Sequence, residues 1–220
     1  MRQVKICGIT NKEDALAAAQ CGAAALGFIF YPPSPRYIPP EDALKIISAL
    51  PDRVIKIGIF VNQKPEEVCR VFEHCKLDMI QLHGDESPEY CRLFPSSVII
   101  KAVELKNEND INRAYGYDVA AILVDSRHAG LYGGTGKTVN WKLSSRISSK
   151  KPLILSGGLN AENVAAAMQT VNPAALDINS GAESEPGKKD HRKLAQIFDA
   201  VQTADTAPEN LQLIFKKREI

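Results

Sequence analysis

Short runs of β-branched and other aliphatic residues recur along the chain at intervals of roughly twenty to thirty positions, each followed by a stretch of helical composition. The runs predict strands over residues 4–7, 25–30, 54–61, 79–82, 98–103, 121–124, 153–155 and 176–178. Helices are expected over 11–21, 41–50, 65–75, 88–94, 108–115, 141–148, 162–170 and 190–201, with Thr10 or Asn11 placed to cap the first and Asn140 the sixth. Alternation of this kind makes neighbouring strands parallel, because a parallel neighbour is reached only through a long crossover. Eight such units are the count of a closed α/β barrel, the (β/α)8 or TIM barrel; an open doubly wound sheet usually stops at about five or six strands.

No charged linker or low-complexity segment interrupts the alternation, so residues 1–203 are expected to form one barrel domain. Residues 204–220 lie beyond the eighth helix, and LQLIF followed by KKREI suits a short helix, a docked strand or a loose tail.

Composition narrows the partners by exclusion. Hydrophobic residues at 45% and charged residues at 24% are ordinary for a soluble globular chain. A formal net charge of +1 supplies no broad positive field for nucleic acid, so an anionic ligand must be held by local groups. No apolar run approaches the roughly eighteen residues of a membrane span, and MRQVKICGIT lacks the features of a signal peptide; a cytoplasmic location with no membrane partner is expected. The five cysteines form no C-x-x-C pair and are odd in number, which argues for free thiols rather than a disulfide framework or a metal site. Cys21, Cys69, Cys75 and Cys91 lie on helical patterns and are expected as small buried hydrophobes.

The last two expected strands end in glycine turns, Ser156-Gly157-Gly158 and Asn179-Ser180-Gly181, each ahead of a helix start. Free N–H groups and a partial positive charge of about half a unit at such a start attract phosphate. The loops after strands seven and eight are the usual phosphate position on this barrel, which makes Gly157, Gly158, Ser180 and Gly181 candidate phosphate ligands. Tight turns without a ligand are the plainer alternative. Gly133-Gly134-Thr135-Gly136-Lys137-Thr138 is not a nucleotide loop, because Leu131 occupies the position where a Walker A motif needs its first glycine. A loop over the active face, with Lys137 near the ligand, fits that segment better; a plain surface loop is the other reading.

Cys7 ends strand one and Asp125 ends strand six, the positions from which barrel side chains reach the active face. Cys7 is a candidate base or nucleophile and Asp125 a candidate general acid, with burial and loop capping as their structural alternatives. Arg36, in the stiff segment Pro32-Pro33-Ser34-Pro35-Arg36, is placed to grip a substrate carboxylate through two nitrogens. His83 closes strand four and is expected among the substrate-binding residues, with a catalytic and a structural role both open. His74, His128 and His191 read as surface residues.

Taken in order, Val4-Lys5-Ile6-Cys7-Gly8-Ile9-Thr10, Ser34-Pro35-Arg36-Tyr37, Gln81-Leu82-His83-Gly84, Gly133-Gly134-Thr135-Gly136, Leu155-Ser156-Gly157-Gly158-Leu159, Asn179-Ser180-Gly181-Ala182-Glu183 and Pro186-Gly187-Lys188-Lys189-Asp190 resemble phosphoribosylanthranilate isomerases. The resemblance implies an Amadori rearrangement in tryptophan biosynthesis with no cofactor and no metal. It implies Asp125 as the acid that protonates the ribose ring oxygen, Cys7 as the base at C2, Arg36 at the anthranilate carboxylate, and Gly157, Gly158, Ser180 and Gly181 at the phosphate. A phosphorylated small molecule is the expected partner, and the chain is expected as a monomer or homodimer. The division of labour asks for a thiolate beside a protonated carboxyl, with Lys5 or a nearby helix start to stabilise the thiolate. Three rivals stand beside it: a histidine-pathway isomerase acting on a bulkier substrate with two phosphates, a Schiff-base aldolase using Lys5 or Lys101, and a noncatalytic phosphate sensor.

Overall fold

Hydrogen bonding closes the eight expected strands into one parallel barrel in chain order: β1 (Gln3–Ile6), β2 (Ala25–Ile29), β3 (Ile55–Phe60), β4 (Met79–Leu82), β5 (Ile99–Val103), β6 (Ala121–Val124), β7 (Leu153–Leu155) and β8 (Ala175–Ile178). The ring is completed where β8 pairs back onto β1, with Lys5 in register with Asp177. This is a computed structural model, in which residues 2–125, 139–205 and 213–217 are described. Around the ring lie α1 (Lys12–Gln20), α2 (Pro40–Ile47), α3 (Pro65–His74), α4 (Pro88–Cys91), α5 (Glu108–Tyr115), α6 (Trp141–Ser148), α7 (Val164–Val171) and α8 (His191–Ala204).

The helix starts follow from local chemistry. Asn11 and Asn140 accept from backbone N–H groups of α1 and α6, Asp190 accepts from two in α8, and Asn107 with Asp110 forms a capping box on α5. The seventh helix begins at Val164 rather than near residue 162. The amide of Asn163 bonds to the Gly158 carbonyl and the Asn160 N–H, which holds the intervening residues in a turn. A hairpin absent from the sequence expectation, β9 (Glu183–Glu185) and β10 (Lys188–Lys189), sits between β8 and α8.

Side chains alternate across the barrel wall. Val4 and Ile6, Leu26 and Phe28, Ile80 and Leu82, Ile122 and Val124, and Leu176 and Ile178 belong to the outer core beneath the helices. The inward set near the strand starts is small or aliphatic, including Ala25, Ile55, Met79, Ala121 and Ala175. Farther along the same stripes stand Lys5, Gln81, Asp125 and Asp177, all buried.

Ile214 and Phe215 are buried in this lower cluster. The Gln3 side chain accepts from both of their N–H groups, at 2.7 and 2.9 Å, and donates to the Phe215 carbonyl at 3.1 Å. The described part of the extension is thus docked without forming a strand. Arg2 joins the same end to Asp205 through a buried ion pair at 2.9 Å.

One cysteine expectation is corrected. Cys75 and Cys91 are buried, but Cys21 is only partly covered and Cys69 is exposed. Val68 and Val71 define the buried face of α3, and Cys69 follows Val68 by about a hundred degrees of helical rotation, which turns it to solvent.

Candidate active site

At the carboxyl ends of the strands lies a cavity of about 260 Å³, a little below the usual range for small-molecule sites. Cys7 and Asp125 both line it, each one residue past the end of its strand and on the inward parity. His83, Arg36, Gly157, Gly158, Ser180 and Gly181 line the same cavity, so all eight residues singled out in the sequence converge on one space. Lys137 and the rest of the 133–138 segment, with His128, lie outside the described residues.

The two glycine turns form one edge. Gly157 and Gly158 have φ of 91° and 62°, the left-handed region that glycine occupies without penalty. A Cβ on Gly181 would stand 1.9 Å from the Leu159 carbonyl oxygen, so the turn after β8 lies directly on the turn after β7 and admits no side chain there. The segment Ser180–Ala182 is itself a single 3-10 turn, whereas a full helix start was expected at this point. The combination matches the phosphate position typical of the fold, the loops after strands seven and eight together with a short extra helical turn.

Arg36 at the opposite wall is less free than its sequence context suggests. Its Nε donates to Glu183 Oε1 and Oε2 at 2.9 and 3.1 Å, and Nη2 donates to Oε2 at 2.7 Å. Glu183 also accepts from Lys189 Nζ at 2.9 Å and from the Gly187 N–H at 3.2 Å. Burial alone would raise the Glu183 carboxyl, but Arg36 and Lys189 outweigh it and hold the group below its ordinary value. One edge of the guanidinium is therefore spent on orientation, and a substrate carboxylate has to meet the remaining donors.

His83 connects Asp125 to the wall. Its Nδ1 lies 2.7 Å from Gln81 Nε2, and its Nε2 lies 3.4 Å from Asp125 Oδ2. With the Gln81 amide donating to Nδ1, the imidazole proton sits on Nε2 and faces the carboxylate. Around Cys7 burial and charge pull in opposite directions. Burial pushes the thiol up and Asp177 adds to the rise, while Lys5 and Lys189 only partly oppose it.

Several residues of the site were not picked from the sequence. Asp177, Gln81 and Asn179 line the cavity, and Glu183 fixes Arg36 from outside it. A signal for Asp177 did exist: a charge between Leu176 and Ile178, both facing the helices, has to face the barrel interior. Lys101, by contrast, shares its parity with Ile99 and Val103 on the outer side, and its ammonium is held by Glu86 at 2.9 Å and by the Gly84 carbonyl at 2.8 Å. Neither Lys101 nor Lys5 lines the cavity, which removes support from the aldolase reading. Among the described residues no His, Cys, Asp and Glu cluster is arranged to hold a metal ion.

The family model for N-(5'phosphoribosyl)anthranilate (PRA) isomerase matches residues 4–200. The chain is 52% identical over 201 residues to the N-(5'-phosphoribosyl)anthranilate isomerase of Syntrophus aciditrophicus, a match that covers 91% of this chain and 87% of the relative. The crystal structure of phosphoribosyl anthranilate isomerase from Thermotoga maritima superposes with a TM-score of 0.86 at 46% identity, over 92% of this chain and all of the other. A phosphoribosyl anthranilate isomerase solved in complex with reduced 1-(o-carboxyphenylamino)-1-deoxyribulose 5-phosphate is similar at a TM-score of 0.83 and 43% identity, again covering 92% of this chain and 100% of its own. With the eight-stranded barrel and the convergent cavity, these matches assign the chain to the N-(5'-phosphoribosyl)anthranilate isomerase family.

Proposed function

We propose that this chain converts N-(5'-phosphoribosyl)anthranilate to 1-(2-carboxyphenylamino)-1-deoxyribulose 5-phosphate in tryptophan biosynthesis, with no cofactor. Asp125 gives a proton to the ribose ring oxygen as the C1–O bond breaks, which leaves an iminium at C1. Cys7, as thiolate, takes the C2 proton, and the resulting enolamine tautomerises to the ketone as a proton is returned to C1 and the C2 hydroxyl gives up its own. Two anchors hold the sugar between them: the backbone at Gly157, Gly158, Ser180 and Gly181 takes the phosphate, and Arg36 takes the anthranilate carboxylate. His83 steadies Asp125.

The observation that carries this reading is the opening of Cys7 and Asp125, from separate strands, onto one cavity edged by a glycine anion turn. One such paired turn among the described residues favours a substrate with one phosphate over the two-phosphate substrate of the histidine-pathway rival. The free state of all five cysteines suits a reducing compartment such as the cytoplasm. Among the described residues no helix is long and apolar enough to cross a membrane.

Fluorescence-monitored consumption of phosphoribosylanthranilate tests the assignment. Cys7→Ala and Asp125→Asn should each lose about a hundredfold to ten-thousandfold in kcat while still binding the reduced product analogue. A wild-type chain that binds the analogue without turnover would support the sensor instead, and either variant at full rate would remove its residue from the mechanism.

A further inference from the structure

The inward stripe of β1 carries an amine where a barrel interior usually holds an aliphatic side chain. Lys5 is fully buried, two residues below Cys7 on the same face, and Asp177 stands beside it in register on β8. The ammonium donates to Asp177 Oδ1 at 2.8 Å and lies close enough to the Cys7 sulfur to act on it through charge. Space for this arrangement comes from Gly27 on β2, where a Cβ would lie 2.9 Å from Cys7 Sγ and 3.1 Å from Lys5 Cε. A buried ion pair kept for stability alone gains little, since apolar residues of similar volume usually serve as well. Its place directly beneath the reactive sulfur gives it another use.

Building on the reading of Cys7 as base, we infer that Lys5 is a positioning residue for the rearrangement: clamped by Asp177, its ammonium holds the Cys7 sulfur toward the cavity and stabilises the thiolate that removes the C2 proton. The charged groups that face the sulfur are Lys5 on β1, Asp177 on β8, Lys189 on β10 and Arg36 on the loop after β2. Lys189 and Arg36 are both bound to Glu183, and of the two lysines Lys5 acts on the thiol more strongly. Burial and Asp177 resist ionisation, so the thiolate forms only against a standing cost, and Lys5 supplies the largest opposing charge.

Ultraviolet thiolate absorbance, with a Cys7→Ser chain subtracted to remove the other cysteines, reports the titration of Cys7 without reference to turnover. Lys5→Met should move that titration upward by about one to three pH units, carry the rising limb of kcat/KM with it and leave KM within about threefold. Asp177→Asn should move the titration downward, because it removes a negative charge while Lys5 stays beside the sulfur. Opposite signs from two halves of one ion pair are not expected of a merely structural contact. Asp177→Asn alone carries the test if Lys5→Met does not fold. An unmoved titration, or an upward shift in both variants, overturns the inference even where Cys7→Ala is inactive. Full turnover by Cys7→Ala would instead overturn the reading of Cys7 as base, and the inference with it.

Discussion

The two ends of the barrel interior are built by the same alternation and filled in opposite ways. At the strand starts the inward positions are Ala25, Ile55, Met79, Ala121 and Ala175, and Ile214 with Phe215 closes the space below them. At the strand ends the inward positions become Cys7, His83, Asp125 and Asp177, and a cavity opens among them. The inward positions of the lower end are apolar and held by area removed from water. The upper end keeps buried charges that stability alone would not select. The division of the barrel into a stabilising floor and a reactive mouth therefore lies within each strand rather than between strands.

Substitution at the floor tests the division most severely. Phe215→Ala should cost about 3–5 kcal/mol of stability, read by chemical denaturation, while kcat/KM per folded molecule stays at the wild-type value. A parallel loss of catalytic efficiency would show that the two ends are coupled. At the mouth, Arg36→Lys retains the charge but loses the planar fork held by Glu183. It should raise KM by the equivalent of about 1.5–3 kcal/mol with a small change in melting temperature. Smaller again is Gln3→Leu, which strips the Ile214 and Phe215 N–H groups of their acceptor; about 1 kcal/mol of stability should go, with more rapid amide exchange at those two positions.

The smallest effect is the acid limb of stability. Because the folded-state value of Glu183 lies below 4.5, its contribution is complete above the ordinary carboxylate range and is lost as the pH falls through the lowered value. Melting curves of Glu183→Gln should show a shallower fall in that window than wild type, and an identical fall would place the acid sensitivity elsewhere.

Much of the mouth was legible in the sequence because strand ends declare themselves: a β-branched run, then a polar residue or a glycine. Cys7, Asp125 and the turns at Gly157 and Gly181 were found in that way. Glu183 was not, since ESEPGKK reads as a solvated loop and its partner Arg36 lies 147 residues away. Such a pairing is set by barrel closure, which no local pattern encodes. The tail was illegible for a related reason. LQLIF has neither helical nor strand periodicity, and its burial depends on Gln3, more than 200 residues earlier. The environment of the Cys7 thiol was not legible because it depends on the depth of burial as well as on the neighbours, and depth is known only once the barrel is closed.

The clasp between Gln3 and residues 214–215, with Arg2 on Asp205, brings both ends of the described chain to the floor. A linker continued from Lys217 would leave on the side away from the mouth. An enzyme immobilised or joined to another protein through that point would keep its substrate entrance facing outward, whereas an insertion in any loop after a strand would have to be routed around it.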